Sequence, residues 1–111
     1  MGRSTAEALG TSYRNSHKAA KPGDRSAINE RVCRELEELK SQLASDLASH
    51  QRNLVDVADD VPAKRGIQQR IEALQLEIND VADLQSLIEK RRPEDDRHRV
   101  QAEANRLVAE R

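Results

Sequence analysis

The chain has 111 residues, 36% of them apolar and 35% charged, with a formal net charge of -1, one Tyr, no Phe or Trp, and one Cys. That composition excludes two independent cores and a ring-filled globular interior, since a compact domain of this length normally buries several aromatic side chains. A lone Cys33 excludes an intrachain disulfide and any metal site drawing on two thiolates, and it fits a reducing compartment, so the expected location is cytoplasmic.

The first residues read MGRSTA. A glycine after the start methionine approaches a myristoylation signal, but Ala6 stands where that signal has Ser or Thr. No apolar run reaches the roughly 20 residues that span a bilayer, and no membrane insertion is expected. Residues 1–25 mix small, polar and basic side chains without a sustained period, interrupted by Gly10, Pro22 and Gly23. They read as a flexible basic N-terminal tail with a short helical turn around Ala6 to Leu9. Within the tail Arg14, Lys18, Lys21 and Arg25 are candidates for contact with a polyanion, whose affinity falls as salt rises. Tyr13 alone is available to stack on a base.

Residues 26–111 read as a coiled-coil or helical-bundle domain. A first long helix starts after Pro22 and Gly23, capped by Asp24 or Ser26. Its apolar positions include Leu36, Leu39, Leu43, Leu47 and Leu54, with His50 interposed, at steps of three and four. The steps combine into an eleven-residue repeat, which keeps a helix nearly straight. His50 stands on this apolar face, either as a pH-sensitive seam residue or, more simply, at a seam edge with its ring in water. Cys33 lies at the edge of the same face, where it acts either as a dimer cross-link or as an inert filler.

The segment DDVPAKRG then breaks the pattern. Pro62 lacks a donor and disfavours helix at Val61. Asp60 can cap a new helix with Pro62 in its first turn, and Gly66 can instead take a left-handed cap conformation. A short connection favours reversal of the chain over a kink in one continuous rod.

The next helix has a heptad register: Ile71 and Ile78 at a, and Ile67, Leu74, Val81 and Ile88 at d, with Gln85 as a polar a residue. Leu84 widens the face beyond a narrow seam. In KRRPEDD, Lys90, Arg91 and Arg92 suit a helix C-terminus, while Pro93, Glu94, Asp95 and Asp96 suit the first turn of another. A short third helix is therefore expected from Glu94, with Val100, Ala104 and Leu107 on one face.

The fold class expected is all-α: a coiled-coil helical hairpin or small helical bundle with a short third helix. His17, His50 and His98 are far apart in sequence, the acids of EDDRHR read as an exposed first turn, and phosphate loops, nucleophile elbows and zinc-protease helices are absent. Neither a cofactor nor an enzyme activity is expected. The residues suited to oligomerisation are the seam positions from Leu36 to Leu54 and from Ile67 to Ile88 named above. The function expected is self-association as a homo-oligomer, most simply a dimer, or an adaptor or scaffold role with another helical protein. The alternative is a dimeric nucleic-acid-associated factor that uses the basic tail.

Overall fold

The computed structural model describes residues 5–110; Gly2, weighed above for lipidation, lies outside the described residues. Those residues form α1 (Thr5–Ala19), a 3-10 turn (Pro22–Asp24), α2 (Arg25–Asp56) and α3 (Val61–Ala109), with no strand among them. The all-α expectation holds.

The reversal occurs at Val57–Asp60. Pro62 falls in the first turn of α3, where its missing N–H is not needed, and the Asp60 side chain accepts a hydrogen bond from the Ala63 backbone N–H at 3.2 Å. After the turn, α3 runs back along α2. Gln85 meets Glu37, Arg92 meets Cys33, Asn29 meets Asp95 and Ser26 meets Asp96, so each step toward the start of α2 matches a step toward the end of α3. The molecule measures 74 × 24 × 18 Å. A 49-residue helix rising about 1.5 Å per residue accounts for the longest dimension by itself.

Four expectations are corrected. First, residues 5–19 are not a loosely attached tail but a 15-residue helix whose Ala6, Gly10, Tyr13 and His17 are buried. The spacing of four, three and four puts them on one face, and Gly10 brings α1 close to Leu84, whose Cδ2 would lie 3.9 Å from a Cβ at that position. Secondly, no separate helix begins at Glu94, because α3 continues through Pro93. Proline forfeits one backbone hydrogen bond there, but Pro93 faces water while Ile88 and Asp95 on either side are held in the interior. Thirdly, Asp24 occupies the N-cap position of α2 without a side-chain cap bond, and Ser26 spends its hydroxyl on Asp96 instead.

Gly66 is likewise an interior residue of α3 with ordinary negative φ, not a left-handed cap. A Cβ at that position would meet nothing within 4 Å. Gly66→Ala is therefore expected to stabilise the fold by about 0.5–1 kcal/mol, through helix propensity and reduced freedom of the unfolded chain. Urea unfolding followed by circular dichroism checks this; a lower midpoint would show that Gly66 has a role the helix does not reveal.

The core lies at one end of the rod, where α1 rests on the paired helices. Tyr13, Val32, Leu36, Val81, Leu84 and Ile88 are almost wholly out of water there, and Leu43 marks the limit of full burial. Beyond it α2 and α3 continue as a two-helix arm.

Candidate functional site

Two features stand out: a buried polar cluster beneath α1, and apolar side chains left open on the arm and on the last turns of α3.

Each helix contributes to the cluster. The Tyr13 hydroxyl donates to Asn29 Oδ1 at 2.6 Å, Asn29 Nδ2 donates to Asp95 Oδ2 at 2.7 Å, and His17 Nε2 donates to the same carboxylate oxygen at 2.8 Å. Arg25 Nε donates to the His17 carbonyl at 2.9 Å, and the Arg91 guanidinium lies 5.7 Å from the centre of the Tyr13 ring. Asp95 is 3% exposed and Asn29 1%. An isolated carboxylate at that depth is costly, but two donors on one oxygen and cations nearby offset the loss of water.

The electrostatics follow from the geometry. Burial pushes the Asp95 carboxyl upward, yet the hydrogen bonds from Asn29 and His17, together with the charges of His17 and Arg25, outweigh it and hold the group below its ordinary value. Burial pushes the Tyr13 phenol above its ordinary value, and Arg91 opposes that only in part. These side chains satisfy one another, so the cluster joins three helices at one fixed register.

His17, Asn29 and Asp95 were not site candidates in the sequence; Arg25 was one only as a polyanion contact, and Tyr13 only as a ring to stack on a base. Tyr13 and His17 sat in the presumed tail, and Asp95 sat in the presumed exposed first turn. The available signal was register: Asp95 follows Leu74, Val81 and Ile88 at successive seven-residue steps, and Asn29 precedes Leu36 and Leu43 in the same way.

The expected oligomerisation residues divide into two groups. Leu36, Leu43, Val81 and Ile88 are buried within the single chain, and Leu39, Leu74 and Ile78 pack partly against them. Leu47, Leu54, Ile67 and Ile71, on the arm, are half-buried. His50 is half-buried there too, and its Nδ1 is enclosed without a hydrogen-bond partner. Cys33 is half-buried and accepts a hydrogen bond from Arg92 at 3.2 Å.

Of the polyanion candidates, Arg14, Lys18 and Lys21 are exposed, whereas Arg25 is drawn toward the cluster. From Arg99 to Ala109 every residue of α3 is exposed, including Val100, Leu107 and Val108. Among the described residues no group of three or more His, Cys, Asp or Glu side chains is placed to hold a metal ion, and no helix is long and apolar enough to cross a membrane.

No family model matches the sequence, and comparisons with curated proteins and with solved structures return no significant match.

Proposed function

We propose that the chain is a non-enzymatic association module, in which coiled-coil packing of the α2–α3 arm against a second copy holds copies together within a larger helical assembly. The observation that carries this reading is the unequal cover of one continuous seam. Near the α1 end a third helix takes Leu36, Leu84 and Ile88 out of water. Along the arm the same kinds of residue, Leu47, Leu54, Ile67 and Ile71, have only two helices around them and stay half-exposed. Apolar surface returns roughly 25 cal/mol for each Å² removed from water, so a helix laid along this ridge is favoured.

Light scattering tests the reading. The expected mass is twice the 12.5 kDa of the single chain at micromolar concentration, with Ile71→Asp returning it to one copy while circular dichroism keeps its helical signal. A mass of 12.5 kDa across the accessible concentration range would end it.

A second reading rests on Arg14 and Lys18, which share one exposed face of α1, and on exposed Lys21 just beyond the end of that helix. It treats that face as a contact for nucleic-acid phosphates. Binding to unrelated DNA or RNA that weakens steeply with salt supports it, and binding absent at low salt removes it.

A further inference from the structure

Charge along the rod is unevenly divided. Residues 36–85, the half of the rod toward the turn, which holds the arm together with Leu36, Leu43, Val81 and Leu84 of the core, carry ten acidic and five basic side chains, a balance of -5. Residues 5–35 and 86–110, which hold α1 and the half of the rod away from the turn, carry ten acidic and twelve basic, a balance of +2. The two halves also differ in cover. The arm has a half-exposed apolar ridge and lacks a third helix, while the last turns of α3 meet the 3-10 turn at His98 and Ala102 but keep Val100, Leu107 and Val108 exposed. A helical segment of about a dozen residues is marginal in water unless one face is packed. Val100, Ala104 and Leu107, at steps of four and three, supply such a face.

From these observations we infer that two copies lie side by side and antiparallel, the exposed end of α3 from each serving as the third helix for the other's arm. The inference rests on the self-association proposed above and adds its partner surface and direction. Parallel alignment sets the -5 halves against each other, at a cost that grows as salt falls; antiparallel alignment sets each against the +2 half of its neighbour. Length agrees. The ten residues Val100–Ala109 reach about 15 Å, within the roughly 24 Å of α3 from Val61 to Leu76. With the two long helices fully overlapped, Leu107 of one copy comes opposite Ala63 and Ile67 of the other, and Val100 opposite Arg70 and Ile71. The contact occurs twice, related by a two-fold axis, which closes the assembly at two copies.

Disulfide trapping distinguishes the arrangements. In a Cys33→Ser background, Ala58→Cys marks the turn and Ala109→Cys the far end of α3, both exposed positions. The two single-cysteine proteins are mixed and oxidised, after circular dichroism has shown wild-type helicity in each. The expected product is the mixed 58–109 disulfide, about tenfold in excess of either like-with-like product, as a pair of doubled mass.

Like-with-like products in excess, or a pair that forms no mixed product, overturn the antiparallel arrangement and leave self-association standing. Masses above two copies in light scattering of the unoxidised protein signify an open head-to-tail chain and overturn the closed pair. A single-copy mass overturns this inference and its parent reading together. As a second readout, Leu107→Asp alters a residue already 57% exposed in the single chain. It is expected to weaken pairing at least about tenfold without loss of helix. Pairing as tight as wild type would show that the end of α3 is not the covering helix.

Discussion

Asp95→Ala is expected to lower the unfolding free energy by about 3 kcal/mol, among the largest single-site effects in this protein. The carboxylate is 3% exposed and accepts hydrogen bonds from Asn29 and His17 on one oxygen. Removing it strands two buried donors, leaves Arg25 without a nearby counter-charge, and loosens α1 from the rod. Asp95→Asn is milder, because an amide oxygen still accepts from both donors. It isolates the charge.

The pH dependence has a definite sign. The folded carboxyl lies below its ordinary value of 3.8, so its contribution is present in full above that value and is lost as pH falls through the folded one. Wild type is therefore expected to exceed Asp95→Asn in stability at neutral pH, with the gap closing below about pH 4. Urea titrations of both proteins between neutral and acid pH check this. A gap constant with pH would mean that charge at Asp95 contributes nothing to folding.

Leu36→Ala and Ile88→Ala are each expected to cost about 3 kcal/mol, from lost apolar transfer and the cavity left behind. Both side chains are 0% exposed and face each other's helix beneath α1. Leu76→Ala, at a position 66% exposed, is expected to change stability by no more than about 0.5 kcal/mol. Half-buried Leu54 on the arm lies between these limits. Its Ala variant separates cover by a second copy from simple exposure, since the cost then grows with protein concentration as pairing sets in. A cost at Leu36 as small as that at Leu76 would mean that the α1 end is not where the fold is held.

Much of the architecture was legible because it depends on spacing. The seams of α2 and α3, the reversal before Pro62 and the Asp60 cap all follow from period and punctuation. The α1 end was not legible, for one physical reason: its packing face consists of Ala6, Gly10, Tyr13 and His17, which do not register as a hydrophobic stripe. Small residues pack by close approach, and rings with polar tips pack by hydrogen bonding; both depend on what lies opposite. Asn29 and Asp95 were passed over for the same reason, as polar members of apolar registers. Pro93 compounded the loss. A proline reads as a stop when only the local backbone is considered, but helix α3 is pinned by burial on both sides of it, and that long-range gain exceeds the one forfeited bond.

The continuity of α3 through Pro93 also gives the molecule a mechanical property. One unbroken helix of 49 residues joins the reversal at its start to the exposed turns at its end. Anything attached at those two points is therefore held about 7 nm apart by a stiff strut, and tension or torque applied at one is transmitted to the other without a hinge to absorb it.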